Sequence, residues 1–270
     1  MKNIFKKLIS TAVCLTVAFS AAGCSSSKNE NSSSSAAVSS TEAVSSSSEN
    51  DSSFPYTFTD IEGREITIEK QPETFVVGNY ILNFMLIGGK DSLDKVVGMP
   101  LDGWQETRYG EYESMTKSFP EILDKTSIGG YHDDVLNAEL ILQLKPDVLL
   151  INKSQYTENE TSIPVFEKAG IKVVVLDYHK MKLENHVKST EILGVLLGKE
   201  ATAQEMIADY TNAVDMVNTR IKDSGEEGRK TYVELGNKGI GEYGNSYTGC
   251  LWGSIIDNVG GINIADSVLD

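Results

Sequence analysis

Apolar and polar residues alternate in two short stretches of this chain, residues 56–60 (YTFTD) and 65–69 (EITIE). That is the period of a half-buried strand, and the glycine in the intervening link, residues 61–64 (IEGR), makes the pair a hairpin. The pattern then changes to short uninterrupted apolar runs at 74–78 (TFVVG), 95–99 (KVVGM), 147–151 (DVLLI) and 172–176 (KVVVL). Between them lie segments of helical character: 80–87, stopped by Gly88 and Gly89; 137–145, stopped by Pro146; and 163–169, stopped by Gly170. Strands that are apolar on both faces and alternate with helices predict an α/β fold around a parallel sheet. Ligands of such sheets bind beyond the carboxyl ends of the strands. A site is therefore expected in the segments that follow Gly78, Met99, Ile151 and Leu176.

A longer helical signal spans 201–222. Ala203, Met206, Ile207, Tyr210, Ala213, Val214, Val217 and Ile221 form one stripe at three- and four-residue spacing. At ~1.5 Å per residue this helix is roughly 33 Å long, enough to cross a domain. A polar Gly-containing break (224–228, SGEEG) ends it, and a strand is expected from Lys230 (KTYVEL). A glycine-rich stretch at 236–249, a helix over about 251–259 and the Gly260-Gly261 pair follow before the chain stops at Asp270.

The pattern at the amino end is of a different kind. Lys2, Lys6 and Lys7 precede an apolar run from Leu8 to about Ala22, which leads into Ala21-Ala22-Gly23-Cys24. A positive start, a short apolar run and small residues at a cleavage site make a secretory signal. The run is shorter than the ~20 apolar residues needed to span a bilayer. Small residues ending in a cysteine resemble the lipobox of bacterial lipoproteins, which would make Cys24 the lipidated first residue. Ala21 stands where that pattern usually has Leu, and an ordinary signal peptide that happens to contain a cysteine is the alternative. Fifteen of the residues from 25 to 53 are serine. A segment so poor in apolar surface cannot offset its ordering entropy, and it is expected to be a flexible tether with a span of roughly 30 Å.

The folded part then begins near Phe54 and holds about 217 residues, enough for one large or two modest domains. The first fifty-three residues are neutral, with four lysines against Glu30, Glu42, Glu49 and Asp51, so the formal net charge of −15 falls on the folded part. That balance argues against nucleic acid or an anionic membrane surface as partner. Cys14 lies in the signal and Cys24 at the lipid site, which leaves Cys250 without a disulfide partner and reading as a packed thiol.

Three segments together resemble the substrate-binding proteins of ABC importers for iron-siderophores, haem and cobalamin, the class whose lobes are joined by a single rigid helix. They are the hairpin with its following strand (56–77, YTFTDIEGREITIEKQPETFVV); the helix and strand 136–151, LNAELILQLKPD followed by VLLI; and the long helix leading to a strand, a glycine-rich loop and DNVGGINIAD (257–266). The resemblance implies a signal peptide over 1–24, a tether over 25–53, an N-terminal α/β lobe over 54–199, a connecting helix over 200–224 and the start of a C-terminal α/β lobe over 225–270. Members of the family continue further, and about 45 residues after the helix are too few for a lobe with its own core, so that lobe is expected to be incomplete and poorly packed. The resemblance further implies no catalysis and no cofactor. The ligand, a ferric-siderophore or similar metal chelate, would lie between the lobes and be passed to permease subunits in the membrane. The protein would be held by its lipid at the extracytoplasmic face of the cell membrane, in a Gram-positive cell.

Polar and aromatic residues that follow the strands are the ligand candidates: Asn79, Tyr80, Trp104, Arg108, Tyr131, His132, Lys153 and Tyr156 in the first lobe, and Asn237, Lys238, Tyr243 and Tyr247 in the second. Aromatic rings offer apolar contact with a polar tip, and Arg or Lys would pair with carboxylate or catecholate oxygens. By resemblance to the cobalamin-type members, Glu139 would dock onto permease arginines; an exposed helix carboxylate is the plain alternative. Lys and Arg would suit an oxyanion equally, so a binder of an oxyanion or of a bare metal ion is a rival, although His132, His179 and His186 are mostly far apart in sequence. A surface adhesin is another. Residues 239–244 (GIGEYG) spell a dinucleotide-type glycine motif, but no complete βαβ unit follows. Residues 194–200 (GVLLGKE) fall one residue short of a phosphate loop and lack its Ser or Thr.

Overall fold

A hairpin opens the described part of the protein, which in the computed structural model comprises residues 54–236, Gly239, Gly241 and residues 244–268. The expected signal, lipid site Cys24 and tether, and the candidates Asn237, Lys238 and Tyr243, lie outside the described residues. Strands β1 (Tyr56–Thr59) and β2 (Glu65–Ile68) pair antiparallel, with Tyr56 opposite Ile68 and Thr59 opposite Glu65. Phe58, Ile66 and Ile68 face the core, while Thr57 and Thr67 bond to each other on the outer face. The chain then runs through β3 (Phe75–Val77), α1 (Ile81–Gly88) and β4 (Val96–Met99) to the two short helices α2 (Trp104–Thr107) and α3 (Tyr109–Ser118). Next come β5 (Thr126–Ser127), α4 (Ala138–Leu144), β6 (Val148–Ile151), α5 (Lys153–Glu158), α6 (Ile163–Lys168) and β7 (Lys172–Val175). Two long helices, α7 (Leu183–Leu197) and α8 (Glu200–Ser224), lead to the small group β8 (Lys230–Thr231), α9 (Trp252–Asn258) and β9 (Ile262–Asn263).

The five inner strands form one parallel sheet in the order β5-β4-β3-β6-β7. Alternate residues feed two apolar layers. Phe75, Val77, Val148, Leu150 and Val174 face a layer completed by Phe84 of α1 and Ile192, Leu193 and Leu196 of α7. Val76, Leu149, Ile151, Val173 and Val175 face the opposite layer with Ile141, Ile163 and Phe166. Burial on both faces is what the uninterrupted apolar runs predict. Strand order reverses at β3: β4 and β5 are added on one side of it, β6 and β7 on the other. The crevice beyond the carboxyl end of β3 is therefore the topological place for a ligand.

Two carboxylates fasten the periphery to this sheet. Asp60, fully buried in the hairpin turn, accepts hydrogen bonds from the backbone N–H groups of Glu62, Arg64 and Val175 and from the Arg64 guanidinium, whose Nη2 lies 2.7 Å away. Arg64 in turn donates to the Val173 carbonyl and stacks over the Tyr156 ring. Asp147 accepts from the N–H groups of Glu73 and Thr74 and from the Thr74 hydroxyl, while its own N–H donates back to Thr74 Oγ1. This clasp gives the Leu-Lys-Pro-Asp segment a physical meaning. Lys145 caps α4 in the left-handed conformation at φ 50°, Pro146 prevents the helix from continuing, and Asp147 registers β6 against the start of β3.

The sequence pattern gives no sign of α7. Its first half is largely polar, its amino end has no side-chain cap, and Ser189 and Thr190 lie on its buried face. The 194–200 segment weighed against a phosphate loop is the turn from α7 to α8. Gly194 lets α8 approach, since a Cβ there would sit 2.5 Å from that of Ala203, and Gly198 ends α7 at φ 64°. Along α8 the expected stripe is present: Ala203 is buried and Met206, Ile207, Tyr210, Val214, Val217 and Ile221 are half-buried, while Ala213 is exposed. The strand expected from Lys230 extends over two residues only, because β9, its described partner, offers two.

Asp60→Ala is expected to destabilise the protein by about 3–5 kcal/mol in urea unfolding, because it strands a half-buried guanidinium and three peptide donors. Burial of Asp147 opposes its ionisation, but the N–H groups of Glu73 and Thr74 and the Thr74 hydroxyl win and hold its carboxyl below the usual range. A depressed folded value contributes stability that is present above the unfolded value near 4 and is lost as pH falls through the folded one. The acid limb of stability measured by urea unfolding between pH 5 and pH 2 is expected to flatten in Asp147→Asn.

Candidate functional site

The carboxyl ends of β3 and β4 open into a cleft of about 550 Å³. Gly78 must lack a side chain for this bend, since a Cβ would lie 2.9 Å from Gln155 Oε1, whose amide Nε2 donates to the Gly78 carbonyl. Asn79 and Tyr80 follow at once. Asn79 Oδ1 accepts from the Tyr80 N–H, and Tyr80 holds the left-handed conformation at φ 64° as it starts α1. From the β4 side come Pro100, Trp104, Thr107, Arg108 and Glu111. Gly130, Tyr131 and Asp134 descend from the loop after β5, Tyr178 and His179 from the end of β7, and Met181 and Leu251 close the far side.

Among the described residues, four of the five non-glycine positions with positive φ are in this lining: Tyr80, Asp134, Met181 and Leu251; the fifth, Lys145, is the helix cap described above. Side chains adopt that conformation at a cost of order 1–3 kcal/mol each, and such residues cluster at ligand sites. For Asp134 the restraint is visible. Buried Asn159 donates to the Asp134 carbonyl at 2.8 Å and accepts from the Leu136 N–H at 2.9 Å, clamping the loop that carries the carboxylate.

The walls are aromatic. Tyr80 meets Tyr178 edge to face with ring centres 5.2 Å apart, and Trp104, 2 % exposed, stands edge to face with Tyr112. Burial, with the Asp177 charge added, raises the Tyr80 phenol well above its ordinary value of 10.0, against the opposing pull of the Tyr178 and His179 peptide groups. Burial pushes Tyr178 up to about 12 although its hydroxyl shares a 3.1 Å hydrogen bond with Thr190. Both rings therefore present neutral hydroxyls. Charge in the lining is sparse: Arg108 Nη1 lies 3.5 Å from Glu111 Oε2 one helical turn away, and burial followed by the charges of Glu158 and Asp133 raises the Asp134 carboxyl.

Of the residues singled out from the sequence, Asn79, Tyr80, Trp104, Arg108 and Tyr131 come together here. His132 is exposed, its ring over Gly103 and edge-on to Tyr131. Lys153 and Tyr156 point elsewhere. The segment after Ile151 enters α5 immediately through an Asn152/Gln155 capping box, and the hairpin turn covers it, with Lys153 pairing to Glu62 at 2.8 Å and Tyr156 lying under Arg64. Tyr247 belongs to the group around β9, where its carbonyl accepts from Asn263 Nδ2. Tyr178 is not among the sequence candidates and His179 is weighed there only as a metal ligand, although both follow the strand ending at Leu176 that the carboxyl-end rule marks. Glu111, Asp134, Met181 and Leu251 carry no local signal. Glu139 stands exposed in the first turn of α4, its carboxylate accepting from Gln143 at 3.3 Å. Among the described residues no group of three or more His, Cys, Asp or Glu is placed to hold a metal ion, and no helix is long and apolar enough to cross a membrane.

The family model for periplasmic binding proteins matches residues 91–268, about two thirds of the chain. This chain belongs to that family. Among its relatives, the uncharacterized ABC transporter substrate-binding lipoprotein YvrC of Bacillus subtilis is 25 % identical over 186 residues, 67 % of this chain and 52 % of YvrC. A cobalamin-binding protein of Halobacterium salinarum is 26 % identical over 218 residues, 80 % of this chain and 52 % of its own. The crystal structure of the TroA-like periplasmic binding protein FepB from Veillonella parvula superposes with a TM-score of 0.70 at 31 % identity, covering 80 % of this chain and 64 % of that one. The α/β fold with its parallel-sheet lobe and long helix is thus that of the TroA-like binding proteins. The chain spans about half the length of the curated relatives it matches.

A raised phenol value means that the folded state holds its proton more tightly than the unfolded chain does. Tyr80 and Tyr178 thus contribute stability that is complete below the unfolded value near 10 and is lost as pH rises through the folded ones. In a spectrophotometric titration of the folded protein, Tyr80→Phe and Tyr178→Phe are each expected to leave the phenolate signal below pH 11 unchanged, whereas a titration in denaturant loses one tyrosine per variant.

Proposed function

We propose that the protein is the ligand-capturing component of an ABC importer and takes a metal chelate, such as a ferric-siderophore, into the cleft beyond β3 and β4. The observation that carries this reading is the lining itself. Tyr80, Trp104, Tyr131 and Tyr178 contribute rings to it, Tyr80 and Tyr131 being the more accessible and Trp104 and Tyr178 the buried backing, and Asn79 and Arg108 add polar contacts. A roomy pocket that holds several aromatic rings and a few convergent polar groups suits an organic ligand with a polyoxygen or polynitrogen metal core. A small oxyanion is poorly served, because Arg108, the one Lys or Arg in the described lining, is already offset by Glu111. The likeness to an ABC transporter substrate-binding lipoprotein and to a cobalamin-binding protein supports the same reading.

On this reading residues 1–24 are the signal, Cys24 carries the lipid at the extracytoplasmic face of the membrane and residues 25–53 are the tether. Residues 54–199 are the capturing lobe, joined by the helix at 200–224 to a second lobe that starts at 225. Exposed Glu139 is offered to the permease. The capture reading is tested by titrating a Trp252→Phe variant, in which Trp104 is the remaining reporter, with ferric hydroxamate, ferric catecholate, haemin and cobalamin. Saturable quenching by at least one is expected, with Tyr131→Ala weakening it about tenfold. Absence of saturable binding by all four would sink the proposal.

A further inference from the structure

Resting on the capture reading, we infer that the cleft is charge-selective: it takes metal chelates of zero or positive net charge, and Asp134 and Glu111 reject anionic ones. The formally charged groups in the described lining are Arg108, Glu111 and Asp134, with His179 beside them. Arg108 brings the positive charge, but it is met by Glu111 in its own helical turn before any ligand arrives. Among the described residues no Lys or Arg makes a salt bridge with Asp134. The charges of Glu158 and Asp133 act on it unfavourably and that of His179 favourably.

The placement of Asp134 is built into the fold. The residue is held at φ 58°, its carbonyl taken by the Asn159 amide, while Asp133 Oδ1 accepts from the Val135 N–H and ties the other side of the turn. The loop that carries the carboxylate is thus held at the cleft without a ligand to order it. Fixed charge in a concave, low-dielectric site acts on an incoming ion more strongly than the same charge on an open surface. The aromatic walls act in the same sense. The half-buried rings of Tyr80 and Tyr131 favour cationic over anionic groups at their faces. A trianionic chelate would meet the Asp134 carboxylate with the one guanidinium of the described lining already offset by Glu111.

The test uses three ferric chelates as probes: cationic ferrioxamine B, neutral ferrichrome and trianionic ferric enterobactin, each followed by Trp104 quenching in the Trp252→Phe background at low and moderate salt. The expected order is cationic or neutral first, with the trianion at least tenfold weaker and gaining on the others as salt rises. Asp134→Asn keeps a residue that tolerates positive φ, so the backbone should be preserved. It is expected to improve the trianion and weaken the cation by roughly threefold each, for charges meeting a few ångströms apart at a partly screened site. Glu111→Gln releases Arg108 and is expected to improve the trianion similarly. Trianion binding equal to or tighter than the others, or selectivity unmoved by both variants, overturns the inference while leaving the capture reading intact. Binding of none of the three, with haemin and cobalamin also failing, overturns both.

Discussion

A parallel sheet buried on both faces leaves the chain few places for polar chemistry. In this protein the strands β3, β4, β6 and β7 are walled by apolar layers above and below, so side chains that must meet water or a ligand are pushed to the strand ends. Because the strand order reverses at β3, the connections that leave β3 and β4 diverge and open a cleft that the neighbouring carboxyl-end loops line. The position of the site is a consequence of that one constraint. The aromatic residues found there sit on segments that had no other way out of the sheet.

The same economy explains which polar residues are available to a ligand and which are not. Asp60 and Asp147 are consumed in fastening the hairpin and the start of β3 to the sheet. Lys153 and Tyr156 follow a sheet strand as Asn79 and Tyr80 do, yet the hairpin turn anchored by Asp60 and Arg64 takes both of them. A cation beyond a strand end is a ligand candidate only if no neighbouring element has a carboxylate to offer it. The cleft therefore combines abundant ring surface with little unopposed positive charge, and its strained residues, Tyr80, Asp134, Met181 and Leu251, are held by surroundings that had to be rigid first.

Most of the fold is legible in the sequence because its signals are local. Apolar runs such as VLLI, glycine and proline stops, and the stripe on α8 depend on a few neighbouring residues and survive translation into structure with shifts of one or two positions. The helix α7 was not legible. Its buried face includes Ser189 and Thr190, which find partners only across the fold: Ser189 donates to the Asp177 carbonyl and Thr190 pairs with Tyr178. A helix whose inner face is polar over the turn at Ser189 and Thr190 shows a broken amphipathic signature until its partners are in place. The two-residue β8 is the converse case. A strand-like sequence, KTYVEL, pairs only as far as its described neighbour allows.

By itself the sequence determined the α/β class, the parallel sheet, the long helix and the neighbourhoods where a site must lie, because periodicity and chain breaks are properties of contiguous residues. It also determined Asn79, Tyr80, Trp104, Arg108 and Tyr131 as residues of that neighbourhood. Only the tertiary structure decided that Lys153 and Tyr156 turn away and that Asp134, Tyr178 and His179 join the lining. Those outcomes hang on which groups meet across long stretches of chain, as Lys153 meets Glu62 and Tyr178 meets Tyr80, and a pairing of that range leaves no trace in local pattern.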